Sequence, residues 1–353
     1  MVLFGINLRE NFKPMRKFIV IVLFTLSFFT AESQVEKKIF KVMSYNVENY
    51  FDCVDDSLTQ DEEYLPTGIR AWNIEKYRTK QNHISKVIAS VGGWEAPALV
   101  TLCEIESEKG MFELTKYSPL KNLKYKYVHY ESPDARGVDV ALLYQPDVFK
   151  PFQSEPIRIN FPNTDSKTRD ILYVAGKIPT GDTLNVFVCH FPSRLGGELE
   201  SEDRRMFVAS RLRAKVDSIF SADADANIII MGDFNDYPTN ESVEKTLKAN
   251  KISDKISTTE LYNLSFALQE KGIGSHKHEA EWGMLDQIIV SGNLLKSRNK
   301  ISTSQNDMHV FNADFLLLDD EKFLGKVPFR TYNGMKYQGG YADHLPVYVD
   351  LWW

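Results

Sequence analysis

The run Ile228-Ile229-Ile230-Met231 constrains the fold of this chain more than any other stretch. Four successive apolar residues, three of them β-branched, fit a strand buried on both faces of its sheet. The run breaks at Gly232, and Asp233 and Asn235 follow with Phe234 between them. If the backbone stays extended, side chains at i and i+2 leave on the same face, so both polar groups would project together from a core strand. Polar groups at the mouth of a rigid sheet are costly to bury and well placed for chemistry. A strand that simply ends in turn formers (Gly, Asn, Asp, Pro) fits the same residues.

Apolar strands with polar ends recur along the chain. Residues 39–47 read as a first strand with Asn46 near its mouth, followed by an acidic loop over 52–63. Ile74, Tyr77, Ile84, Val87, Ile88 and Val91 predict a helix from about 73 to 90. Residues 98–106 form a strand ending in Glu104 and Glu106, which share a face if extension persists. A buried glutamate there must be paired or hold a cation; an exposed strand end is the alternative. Strands over 125–130 and 138–144 flank a turn at Ser132-Pro133-Asp134, and Asp139 sits among apolar neighbours as a paired core residue or a site contributor. Strands over 169–176 and 183–190 follow, the second ending at His190 before a loop with Gly196-Gly197. That position suits an acid/base group, although a lone histidine is commonly structural. Ser201 is expected to cap a helix carrying Val208, Leu212, Val216, Ile219 and Phe220 on one face, with Arg204 as a surface charge or an arm towards the preceding loop.

Beyond Asn235 a helix is expected near 242–250. His276 and His278 form a weak metal pair without a third ligand. Asp286 lies just inside a strand over 284–290, and Asp343-His344 directly precede a last strand over 346–351. Residues 303–340, rich in Phe and Gly, read as a long excursion lining a substrate cleft.

A chain of 353 residues holds one large α/β domain or two small ones. Arg16-Lys17, the apolar run 18–29 and small residues Ala31 and Ser33 describe a secretory signal peptide over 1–33, with Met15 a plausible true start. The run is shorter than the roughly 20 residues of a membrane span. The expectation is a secreted or periplasmic single domain over 38–353, a monomer without a stable membrane span. Removing 1–33 deletes four basic and two acidic residues and moves the net charge from −6 to −8. A protein gripping long polyanions usually carries a basic footprint, which here could only be local. Cys53, Cys103 and Cys189 have no spacing that demands a disulfide.

Asn46, Glu104, His190, Asp233, Asn235, Asp286, Asp343 and His344 thus all fall at or near predicted strand ends. Carboxylates and carboxamides without thiolates suit a hard divalent cation, and the two histidines add acid/base capacity. These are the parts of metal-assisted phosphoester hydrolysis. The stretches MSYNVEN (43–49), CE (103–104), CHFPS (189–193), GDFND (232–236), LDQ (285–287) and ADHLP (342–346) resemble, in order, the endonuclease/exonuclease/phosphatase superfamily, in particular a secreted bacterial-type member. The resemblance covers nearly the whole chain from about residue 40. It implies a deoxyribonuclease I-like four-layer α/β sandwich, with two packed mixed, mostly antiparallel sheets flanked by helices. It also implies Mg²⁺, with Mn²⁺ as substitute, held by Glu104 with Asn46 and Asp343 close by. Asp233, held by Asn235, would activate water; His344, oriented by Asp286, would bind the scissile phosphate. His190 would contact phosphate and help protonate the leaving oxygen, and Arg169 would contact substrate together with Asn46. Nucleic acid is favoured as substrate over a lipid (sphingomyelinase-like) or an inositol phosphate, and a non-catalytic binding module is the distant alternative.

Overall fold

The computed structural model describes residues 38–353 apart from 163 and 297–299, so the expected signal segment lies outside the described residues. In chain order the strands are β1 (Ile39–Tyr50), β2 (Leu99–Ile105), β3 (Lys126–His129), β4 (Asp139–Tyr144), β5 (Lys150–Ile157), β6 (Ile171–Lys177), β7 (Thr183–His190), β8 (Asn227–Asp233), β9 (Ala249–Asn250) and β10 (Leu261–Asn263). They continue with the hairpin β11 (His276–His278) and β12 (Glu281–Gly283), then β13 (Asp286–Ser291) and β14 (Met308–Val310). Two short ribbons follow, β15 (Leu317–Asp319) with β16 (Lys326–Pro328) and β17 (Tyr332–Asn333) with β18 (Lys336–Tyr337), before β19 (Val347–Trp352). The main helices are α1 (Ile74–Gly92), α2 (Glu108–Lys116) and α3 (Glu198–Ala222).

Two mixed sheets result, ordered β14-β19-β1-β2-β4-β3 and β5-β6-β7-β8-β13-β10-β9. β1 pairs β2 in parallel and β7 pairs β8 in parallel, whereas most other neighbours are antiparallel. A parallel pair needs a crossover, and α1 and α3 supply one each. Between the sheets, Val42, Leu99 and Leu142 meet Val186, Val188, Ile229 and Met231. The alternate residues face outward: Met43, Tyr45 and Val100 pack with Ile84, Val87 and Ile88 of α1, while Ile228 and Ile230 pack with Val208, Leu212 and Val216 of α3. The run 228–231 is therefore buried on both faces, and the expected four-layer α/β sandwich is the observed architecture. Burying each such side chain stabilises the fold by roughly 1.5–3 kcal/mol.

Several local expectations are corrected. Asn73 caps α1 by accepting the Lys76 N–H, and the helix runs on to Gly92. α3 begins before Ser201, whose hydroxyl donates back to the Gly197 carbonyl at 2.6 Å. Glu198 and Glu200 complement the positive end of the helix and permit the earlier start. The predicted helix near 242–250 shrinks to one turn, Ser242–Thr246, because Ala249 and Asn250 are drawn into β9. Residues 303–340 are not a structureless excursion: they hold five short strands, and Phe311, Phe315, Phe329 and Tyr332 pack on the α1 side of the first sheet. All three cysteines are free. No helix among the described residues is long and apolar enough to cross a membrane.

Candidate active site

The polar strand ends converge at one rim of the two sheets. In the second sheet, cross-strand register sets His190 on β7 opposite Asp233 on β8, and Asp233 opposite Asp286 on β13. Three side chains from distant parts of the sequence are thus placed in a row by backbone hydrogen bonding alone. Gly232 makes the close approach: its φ is +143°, and a Cβ there would lie 1.8 Å from the Cys189 carbonyl oxygen.

The first sheet contributes Asn46 and Glu104 through two irregularities. Glu48 and Asn49 of β1 both take left-handed φ (53° and 57°), and the register against β2 shifts across them. This bulge turns the Asn49 N–H onto Glu104 Oε2 at 2.8 Å. Glu104 itself has φ +66°, and the β2–β4 register shifts there. The kink separates the two glutamates expected to share a face. Glu104 lines the cavity, while Glu106 is buried against the Asp52 N–H at 2.5 Å. Non-glycine residues in this region cost on the order of 1–3 kcal/mol, and such strain gathers at functional sites.

Asp233 is over-determined. Its Oδ1 accepts the Asn235 backbone N–H at 2.8 Å and its Oδ2 accepts Asn46 Nδ2 at 3.0 Å. Extension does not persist to Asn235, which has φ +50°; its carboxamide braces the Phe191 carbonyl at 3.0 Å. Asn235 therefore holds Asp233 through its main chain, not by a parallel side chain. His344 Nδ1 meets Asp286 Oδ2 at 2.6 Å, and His344 Nε2 stands 3.8 Å from Asp233 Oδ2. His190 Nε2 lies 3.7 Å from the same oxygen and 3.9 Å from Glu104 Oε1.

The two histidines carry opposite protonation. Burial alone would depress His344, but Asp286, Asp233 and Asp343 outweigh it and hold the imidazolium well above the usual histidine range. Burial, with Arg169 and Arg136, keeps His190 well below that range and neutral. Its Nδ1 is buried without a partner. Burial pushes the Asp233 carboxyl up to about 7, and Asp286 adds to this against the opposing pull of His344. Asp343 is held low despite burial by His344 and Arg330, and Arg330 Nη2 donates to it at 2.8 Å.

The central cavity, about 460 Å³, is lined by Glu104, His190, Asp233, Asn235, Asp343 and His344. The same cavity is lined by residues with no strong sequence signal: Arg136, Ser193, Arg194, Glu198 and Tyr237. His276 and His278 line it too; the i, i+2 spacing on β11 was the available clue. The His276 ring lies 4.8 Å from that of His344, and burial pushes its pKa down to about 4. Arg169 is not among the lining residues. It is buried, donating to Asp134 Oδ2 at 3.1 Å and the Phe191 carbonyl at 2.6 Å. Asp139 is a paired core residue, 3.1 Å from His129 Nε2 and accepting the Ser132 N–H at 2.8 Å.

The donor set fits a hard cation. Glu104, Asp233 and Asp343 bring three carboxylates to one cavity without a thiolate, the donor chemistry of a hard divalent cation. Glu104 and Asp343 are the part-exposed carboxylates of the three, whereas Asp233 is buried. Asn46 turns its amide nitrogen to Glu104 Oε1 (3.3 Å) and to Asp233, while its oxygen takes the Glu48 N–H, so it spans the carboxylates as a donor. At the same rim, His276, Asp343 and His344 also bring ligand atoms within 4.8 Å of one another.

Solved structures of this shape are numerous. The human Nocturnin catalytic domain with bound sulfate anion aligns over 89% of this chain and 97% of its own, with TM-score 0.53 and 16% identity. Danio rerio (D. rerio) TDP2 complexed with single strand DNA product aligns over 89% and 99%, with TM-score 0.52 and 15% identity. A family protein of Bacteroides thetaiotaomicron aligns over 90% and 99%, with TM-score 0.53 and 13% identity. At such identities these likenesses establish the fold, and no curated protein matches the sequence. The endonuclease/exonuclease/phosphatase family model matches residues 41–352, nearly all of the described structure. The chain belongs to the endonuclease/exonuclease/phosphatase family of hydrolases.

Proposed function

We propose that this protein is a Mg²⁺-dependent phosphodiesterase of nuclease type, with Mn²⁺ as a working substitute. The observation that carries the reading is the opposed pair at one cavity: the buried Asp233 carboxylate facing His344 Nε2 at 3.8 Å, with Glu104 and Asp343 in the same wall. Glu104 would hold the cation, with Asn46 and Asp343 nearby; bound there, it supplies positive charge to the phosphate and to the attacking water. Asp233, fixed by Asn46 and the Asn235 N–H, accepts the proton of that water; a base poised near neutrality is suited to the task. His344, locked by Asp286, presents Nε2–H to a phosphate oxygen and stabilises charge developing there. His190 is neutral, so it serves as a hydrogen-bond donor to phosphate and not as a resident acid for the leaving oxygen. The single strand DNA product held by D. rerio TDP2, a protein of the same fold, makes a DNA strand the first substrate to test.

The test is a panel of plasmid DNA, RNA, sphingomyelin and inositol phosphates, each with Mg²⁺, Mn²⁺ or chelator. Hydrolysis of DNA or RNA is expected, lost in chelator and lowered by ~10³-fold or more in Asp233→Ala and Glu104→Ala. Turnover that persists in chelator or in both folded variants would overturn the reading. We further propose that the enzyme acts outside the cytoplasm, so N-terminal sequencing of exported protein should begin at Gln34.

A further inference from the structure

Beside the catalytic cavity lies a second one of about 200 Å³, lined by Arg136, Lys167, Thr168, Arg169 and Arg204 among others, with no carboxylate side chain in its wall. Four cations around one small space run against the composition of a chain with net charge −6. Asp134 answers two of them, at 3.1 Å from Arg169 and 3.6 Å from Arg136. Among the described residues neither Lys167 nor Arg204 joins an ion pair. The wall also holds two buried polar atoms without a partner, Thr168 Oγ1 and Arg169 Nε, on side chains of residues only 3% and 5% exposed. Both atoms are closed off from solvent, so the cations a ligand in this cavity would meet are those of the open side chains, Lys167 and Arg204 above all. A phosphate has the matching chemistry: several oxygens that accept from hydroxyl, ammonium and guanidinium at once.

The two cavities share Arg136 and Ser193. Ser193 belongs to both walls, and shortly before it in the chain the Phe191 carbonyl is gripped by Arg169 (2.6 Å) and by Asn235 (3.0 Å). Arg169 lines the second cavity and Asn235 the first, so one carbonyl ties the two together.

We infer that this basic cavity is a second phosphate subsite, which takes the phosphate next to the scissile one in a nucleic-acid strand. The inference rests on the proposed phosphodiesterase reading and adds to it a requirement for a multiply phosphorylated substrate. It also locates the local basic patch that an acidic chain needs to hold a polyanion.

The experiment compares thymidine 5′-monophosphate with thymidine 3′,5′-bisphosphate by calorimetric titration of the full protein in EDTA, so that neither ligand is turned over. The bisphosphate should bind about tenfold more tightly, equivalent to ~1.4 kcal/mol. In Lys167→Gln/Arg204→Gln the gain should vanish and both ligands should bind alike. Both side chains are at least partly exposed, and an unchanged melting midpoint confirms that the variant is folded. Equal affinity of the two ligands for wild type, no binding of either, or a gain that survives in the double variant would overturn the inference. Failure of the phosphodiesterase reading is seen separately, as absence of metal-dependent hydrolysis in the substrate panel.

Discussion

Replacing Gly232 by alanine tests whether the row His190–Asp233–Asp286 depends on backbone contact between β7 and β8. An added Cβ would stand 1.8 Å from the Cys189 carbonyl oxygen, 2.7 Å from its carbon and 2.9 Å from the Cys189 nitrogen. Even the tightest real contacts stay near 3.0 Å, so the strands must part by more than 1 Å. The obstacle is backbone and cannot rotate away. Adopting φ +143° costs alanine about 1–3 kcal/mol. Parting a central parallel pair weakens ladder hydrogen bonds worth ~1 kcal/mol each and opens the packed core around Val188 and Met231. Together the loss should reach ~4 kcal/mol or more, a large share of a typical stability of about 5–15 kcal/mol. Gly181, in the β6–β7 turn, is the control: its φ is +84° but nothing lies within 4 Å of an added Cβ. Gly181→Ala should cost only ~1–2 kcal/mol. Urea midpoints of the two variants, with activity of any folded Gly232→Ala protein, decide the matter. A Gly232→Ala midpoint within ~0.5 kcal/mol of wild type, or equal losses in both variants, would refute the steric reasoning.

Other consequences follow from the buried charges. Asp286→Asn removes the carboxylate 2.6 Å from His344, so the imidazolium should deprotonate at lower pH. The basic limb of the kcat profile should move down and kcat should fall ~10²-fold or more; an unmoved limb would show that His344 does not act as the cation. Glu106 is pushed by burial from an ordinary value of 4.5 up to about 8. A carboxyl whose pKa rises on folding gives stability that is full below pH 4.5 and is lost as pH rises towards 8, at up to ~1.4 kcal/mol per pH unit. Melting of Glu106→Gln across that window should be flatter than that of wild type, and parallel curves would count against it. Fully buried Lys80 donates to Thr331 Oγ1 at 2.6 Å and the Tyr341 carbonyl at 2.5 Å beside Glu48. Lys80→Met leaves those acceptors and Glu48 unanswered and should cost ~3 kcal/mol in urea denaturation; a loss below ~1 kcal/mol would disprove the network.

What was legible in the sequence is what short-range pattern encodes. The run 228–231 announced a doubly buried strand; Asp233, Asp286, His190 and Glu104 were legible at strand ends because apolar runs stop there, and Asp343 and His344 in the segment leading into β19. What was not legible depends on left-handed backbone at residues that do not advertise it. Glu104, Glu48, Asn49 and Asn235 are all in that region, and each changes where a side chain or N–H points. Long-range pairing was equally hidden. Nothing in the sequence sets Arg205 apart from the other charges of α3, yet it is fully buried with Nε 2.7 Å from Asp236 Oδ2. Arg330 reaches Glu48 and Asp343 from a segment read as an excursion. Arg169, expected to contact substrate, lines the neighbouring cavity and not the central one, held there by Asp134 and the Phe191 carbonyl.

The row His190–Asp233–Asp286 has a meaning for how such a protein can change. Its spacing is a ladder rung, set by the pairing of β7, β8 and β13, and owes nothing to the loops that follow. Loops beyond the rung are therefore free to lengthen, shorten or change charge without moving the chemistry. One residue inserted within Ile228–Met231 would instead rotate Asp233 to the opposite face and exchange the two apolar layers at a stroke. Variation in this protein should accordingly divide sharply, with tolerance in the loops beyond Ser193 and beyond Asn235, which braces the row, and almost none in the strands that deliver it.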